Sequence, residues 1–218
     1  MNEIFQKIKI DIYFYLFIVT IITIIVSNII LFFAYNKIVL IVCSGISLIF
    51  MMAYLRSHFD REKLLVMSRV VFVIGVVLGI TIGNLMDSDI FLGVLIAVPL
   101  ADILSFTKTK VGENSTNARI LKNISVASKL VIYVKKKKDH LIPLIGVGDI
   151  CFYSLLMSFV YKLSSKLIFK YDIFLIMGCL LNCILIMLIH KKKWFKGFPA
   201  TSGPAVLTFI FFLYNKLF

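Results

Sequence analysis

Charge is scarce in this chain and acid is scarcer still. Of 218 residues only 16% are Asp, Glu, Lys or Arg, and eleven are acidic. With 61% of the residues hydrophobic, this composition excludes both an ordinary soluble domain and a disordered one. Cysteine is limited to Cys43, Cys151, Cys179 and Cys183, all inside apolar stretches, with Cys179 and Cys183 on one helical face. That placement suits neither a disulfide framework nor a closed zinc site and leaves packing as their role. The three histidines, His58, His140 and His190, lie near the ends of apolar stretches without ligand spacing, so neither a metal nor a cofactor is expected. The first apolar stretch is followed by no small-residue cleavage site and is too long for the apolar region of a signal peptide. It is read as a retained signal anchor.

What is present in abundance is bilayer-length hydrophobic sequence. Apolar windows cover residues 10–35, 38–55, 64–85, 90–107, 141–161, 171–189 and 198–214, each near the ~20 residues that a spanning helix needs. The expectation is an all-α polytopic membrane protein, about seven transmembrane helices in one bundle, with a single long basic loop over 108–140. The net charge of +13 does not indicate nucleic acid, because it follows membrane sidedness. Alternating the seven spans places nineteen Lys/Arg on the side of the N-terminus and the long loop, against five on the other. The N-terminus and the loop are therefore expected in the cytoplasm and the C-terminus outside. The run Lys135 to Lys138 then meets anionic lipid headgroups.

Gly75, Gly79 and Gly83 align small residues along one face of the third span and predict close approach of a neighbouring helix. Pro99 interrupts the fourth span three residues before Asp102, where it removes a backbone hydrogen bond. Within the loop, 117–128 alternates at helical spacing and predicts a short interfacial helix. Leu130-Val131-Ile132-Tyr133-Val134 is β-prone and predicts a strand.

Nine of the acidic residues, Asp172 among them, fall in loops or at span ends, where hydration is expected. Asp102 and Asp149 remain, in adjacent spans and without a basic companion at membrane depth. Counting inwards from Thr107 and Leu141 at ~1.5 Å per residue places them at similar depth below one membrane face. Two carboxyls about 3 Å apart cannot both ionise cheaply, so they share a proton. One can then take a proton from water while the other donates to the departing nitrogen of an amide. Gly146 and Gly148 beside Asp149 admit a close backbone approach. The prolines and glycine of residues 198–205, Phe-Pro-Ala-Thr-Ser-Gly-Pro-Ala, predict an irregular start to the last span that lines a cavity.

The tetrad Gly146-Val147-Gly148-Asp149, the wider run to Leu155, the acidic partner Asp102 one span earlier and the Pro199-Ala200-Thr201 element resemble the presenilin and signal peptide peptidase family of intramembrane aspartyl proteases. Prokaryotic presenilin homologues are the most similar in appearance, over about residues 90–210. The resemblance implies a presenilin-like core, Asp102 and Asp149 as catalytic residues, and Gly146, Gly148, Pro199, Ala200 and Thr201 shaping the active site. It also implies transmembrane proteins or peptides as substrates, membrane lipids as surroundings and a prokaryotic cytoplasmic membrane as the location. Leu130, Val131, Ile132, Tyr133 and Val134 are the expected strand against which an opened substrate lies. The chain departs from the family in carrying Ala101 where a tyrosine is usual, Thr201 where a leucine is usual, and seven expected spans where nine are typical.

Three other readings compete. A prepilin-type peptidase also uses Gly-x-Gly-Asp, but commonly with a lysine where Cys151 stands. A transporter or ion pathway uses intramembrane carboxylates as relays, but no inverted internal repeat is visible. A non-catalytic membrane protein retaining the fold is the third.

Overall fold

Long runs of Ile, Leu, Val and Phe close into helices in a membrane, because a segment in lipid must satisfy its own backbone groups. The computed structural model describes residues 2–58, 60, 62–105, 123–136, 140–189 and 200–215. In chain order it contains α1 (Asn2–Phe33), α2 (Lys37–Arg56), α3 (Leu64–Leu85) and α4 (Ser88–Ser105). A short α5 (Ile124–Lys129) and the strands β1 (Val131–Lys136) and β2 (His140–Gly146) follow, and then α6 (Val147–Leu163). A 3-10 turn at Ser165–Leu167 leads to α7 (Ile168–Ile189) and finally α8 (Ser202–Asn215). Among the described residues four segments, Phe14–Phe33, Lys37–Arg56, Leu64–Leu85 and Ser165–Leu185, are long and apolar enough to cross a membrane. The molecule is a mostly helical membrane protein.

The glycine repeat of α3 finds its neighbour in α6. A Cβ built on Gly75 would stand 2.8 Å from a Val147 methyl, one on Gly79 2.8 Å from Cβ of Ser154, and one on Gly83 2.9 Å from Cβ of Ser158. Serines at 154 and 158 answer glycines at 79 and 83, so the two backbones meet without side chains between them. Ser158 Oγ donates to Ile80 O at 2.7 Å and locks the pair. The same Ser154 that faces Gly79 also shares a 3.0 Å hydrogen bond with Ser27 of α1. Thr20, Thr23 and Ser27 are all buried, so α1 turns a polar stripe inward and its apolar faces outward.

The structure corrects three expectations. The predicted span 141–161 does not begin as helix: its first residues form β2, and the helix starts at Val147. Pro143 lies in that strand, where it takes the place of a helix-breaking residue near the start of a span. The predicted strand is longer and shifted, Val131–Lys136, with Leu130 in a turn, and the predicted helix over 117–128 is described only as Ile124–Lys129. Residues 117–122 of that helix lie outside the described residues. Finally, Asp172 is not hydrated but 92% buried, as its 8% relative exposure shows. It accepts from Asn28 Nδ2 at 2.8 Å across the α1–α7 contact.

α5 is anchored by Lys129, which is buried and points its ammonium at the end of α2. Nζ donates to the carbonyl oxygens of Tyr54 (3.0 Å), Leu55 (3.2 Å) and Ser57 (2.6 Å). Three donors meet three carbonyls at a helix C-terminus, where the macrodipole favours a cation.

Candidate functional site

Asp149 is the third residue of α6, which follows β2 without a linker. Antiparallel pairing of β1 with β2 runs from Lys136 opposite His140 to Val131 opposite Gly146, with a register irregularity between Ile132 and Tyr133. At the close of the hairpin Val147 N–H donates to Leu130 O at 2.9 Å, giving a partner to one of the amides that a helix start leaves unpaired. Asp149 reaches back one turn, its Oδ2 accepting from Gly146 N–H at 3.3 Å, a long bond. A Cβ on Gly146 would approach that carboxylate at 3.3 Å, whereas one on Gly148 would meet nothing within 4 Å. Gly148 therefore borders open space immediately before Asp149.

Asp102 sits on the last turn of α4, beyond the buried Pro99, and is half-buried. Thr201 joins it: its hydroxyl donates to Asp102 Oδ2 at 2.6 Å, within the range of strong O–H···O⁻ bonds. Three residues of the expected site thus come from the ends of three helices at one end of the bundle.

The opposite halves of the same helices explain why those ends coincide. Phe91 of α4 stacks on Phe159 of α6 with ring centroids 3.8 Å apart and planes 4° from parallel, and Phe212 of α8 stacks on Phe91 at 5.2 Å. Asp102 lies eleven residues from Phe91, Asp149 ten from Phe159 and Thr201 eleven from Phe212. At 1.5 Å per residue each site residue lies roughly 15–17 Å from one aromatic layer. The matched offsets bring the three side chains to one level.

The segment ahead of α8 is fixed from two sides. Tyr153 OH, one turn beyond Asp149 on α6, donates to Ala200 O at 3.1 Å. Asn182 of α7 donates to the same carbonyl, while its own Oδ1 accepts from Gly203 N–H at 2.9 Å and from Ser202 Oγ at 3.3 Å. Gly178 and Gly203 bring α7 and α8 into backbone contact beside it, since a Cβ on Gly178 would stand 2.7 Å from Cα of Pro204. Among the described residues of the expected irregular start, Ala200 and Thr201 form a turn and the helix begins at Ser202. Pro199 lies outside the described residues.

Tyr153, Asn182 and the three phenylalanines are absent from the expectations based on sequence. Asn182 carried a signal, as an amide inside an apolar run must find partners. The phenylalanines carried none, being ordinary members of apolar helices. Of the strand residues expected to receive substrate, Val131 to Val134 lie in β1, and their pairing with β2 was not foreseen. Among the described residues no group of three or more His, Cys, Asp or Glu could hold a metal ion. Compared with known proteins, the chain matches no family model, no curated protein and no solved structure.

Proposed function

We propose that the chain is an intramembrane aspartyl endopeptidase that hydrolyses peptide bonds in or near transmembrane segments, with Asp102 and Asp149 as its catalytic pair. The observation that carries this reading is the convergence of the two acids on one short segment: Thr201 bonds the Asp102 carboxyl, and Tyr153, one turn beyond Asp149, bonds the adjoining Ala200. Acids in that setting are costly, and hydrolysis of an amide by paired carboxyls is chemistry that uses two of them. One carboxylate takes a proton from water as the water oxygen bonds to the amide carbon. The other, protonated, donates its proton to the nitrogen as the C–N bond breaks, giving a carboxyl and an amine terminus.

A helical substrate must open before its amide can be attacked, and the opened backbone needs new hydrogen-bond partners. The β1–β2 sheet contains two strands, each with an outer edge, and it runs directly into the Asp149 helix. An extended peptide added to that sheet is delivered past Gly148, where there is open space. The distribution of Lys and Arg supports a site near the cytoplasmic boundary, with substrates drawn from the same membrane.

The purified full-length chain, mixed with a model transmembrane peptide, should cleave it. Asp102→Asn and Asp149→Asn should each reduce turnover by about 10²–10⁴-fold without unfolding the protein, since the amide keeps the shape but cannot transfer the proton. A folded Asp102→Asn protein that cleaves at close to the wild-type rate would remove the dyad from consideration.

A further inference from the structure

The hairpin that runs into the Asp149 helix is attached at both ends. Its second strand is continuous with α6, and β1 lies against α3. The other attachment is Lys129, the last residue of α5, two residues before β1. Its side chain is only 3% exposed, its ammonium donates to the three carbonyls at the end of α2, and it stands 5.3 Å from the centre of the Tyr54 ring. Among the described residues it forms no ion pair with a carboxylate. Burying an ammonium is costly even when its donors are used, and an apolar side chain would fill the same space without that cost. What the ammonium adds is direction, because three donors matched to three carbonyls fix how α5 sits against the last turn of α2.

The base of the hairpin hangs from this point. Leu130, next in the chain, accepts from Val147 N–H at 2.9 Å, Val131 pairs with Gly146, and Gly146 N–H donates to Asp149 Oδ2 at 3.3 Å. Two consecutive residues, Lys129 and Leu130, thus tie the end of α2 to the start of the Asp149 helix. We infer that Lys129 is a positioning residue that determines the site of cleavage: by fixing the base of the sheet against α2, it sets the height at which an added peptide strand lies beside Asp149. This rests on the protease reading above and deepens it. One residue of a strand is about 3.4 Å long, so a shift of that size at the base exchanges one peptide bond for the next. Side chains alternate between faces, so a paired peptide that keeps its faces slips by two residues at a time.

The test compares wild type, Lys129→Met and Lys129→Arg in the full chain with the same model transmembrane peptide, the product masses giving the bonds that are cut. Methionine keeps an unbranched apolar stem and removes the charge and the donors; arginine keeps both. In Lys129→Met the ratio of the principal cut to cuts two residues away should fall by about threefold or more, and Lys129→Arg should return it to within about twofold of wild type. A role in stability alone lowers the amount of active protein and leaves that ratio where it was. An unchanged ratio in a folded Lys129→Met protein, or a Lys129→Arg ratio no nearer to wild type than that of Lys129→Met, overturns the inference. Hydrogen exchange reads the anchor without any cleavage: amides of Val131–Lys136 should exchange at least about tenfold faster in Lys129→Met, while those of residues 75–83 in α3 keep their protection. Unaltered exchange in β1 overturns the anchor. A wild type that cleaves no peptide overturns the protease reading and the cleavage-site role with it, and exchange then decides the anchor alone. If Lys129→Met loses the protection of α3 and so does not fold, Lys129→Gln, which keeps two donors, is read by the same two measurements against the same outcomes.

Discussion

A single buried carboxyl outside the proposed dyad shows how much one residue's surroundings decide. Asp172 accepts one hydrogen bond from the Asn28 amide nitrogen, and Oδ1 of Asp172 and Oδ1 of Asn28 are both buried without a partner among the described residues. Two acceptors and one shared donor form an arrangement in which Asn28 is indispensable. Asn28→Ala should destabilise the protein by about 1–3 kcal/mol, because it leaves the carboxyl alone in the α1–α7 contact. Asp172→Asn should cost nothing measurable, since the new amide can donate to the Asn28 oxygen. Thermal unfolding of the purified protein checks both, and a severe loss in Asp172→Asn would show that the carboxylate charge itself is required. The sequence placed Asp172 at a span end because Lys166 and Lys170 precede it closely. The contrary signal was in α1, where Thr20, Thr23, Ser27 and Asn28 recur at helical spacing and mark a face turned to the bundle interior. Asp102 and Asp149 were legible as a pair because the sequence places no basic residue at their depth in either apolar stretch. The bond from Thr201 to Asp102 was not, since a hydroxyl gives no hint in sequence of what it bonds across ninety-nine residues.

Among elements, α6 is the hub: α3 meets it backbone to backbone, α1 meets it through Ser27, and its first turn carries Asp149. Gly79→Leu should therefore separate α3 from α6 and cost at least about 3 kcal/mol, whereas Gly45→Ala, where a Cβ meets nothing within 4 Å, should leave stability within about 0.5 kcal/mol. Gly148→Leu divides fold from function. It projects into open space, so the thermal midpoint should hold while cleavage of a transmembrane peptide falls. A Gly148→Leu protein that cleaves normally would show that substrate does not pass there. The glycine repeat of α3 was readable because its spacing is helical, although its partner was not. The hairpin was half readable: β1 stands out by its β-branched residues beside a lysine run. β2 is hidden in Leu-Ile-Pro-Leu-Ile, an apolar run continuous with the apolar helix after it, where periodicity cannot separate strand from buried helix. Pro143 was the one available marker of that boundary.

Across the whole molecule, the helix starts are staggered. Gly75 of α3 faces Val147, the first residue of α6, and α3 begins eleven residues earlier, at Leu64. At 1.5 Å per residue the helix of Asp149 therefore starts about 16 Å inside the end of its partner. β1 packs against α3, so a hairpin stands where the first half of a full-length span would be. In a hydrocarbon core of about 30 Å, strand backbone is tolerated where it is buried in protein or lines a water-filled space. The stagger thus opens a wet vestibule into the bilayer, and water, the second substrate of the proposed hydrolysis, reaches the carboxyls through it. Gly148→Cys on a cysteine-free background should react in vesicles with a water-soluble maleimide. If that position stays unlabelled, the vestibule is dry and water must enter with the substrate.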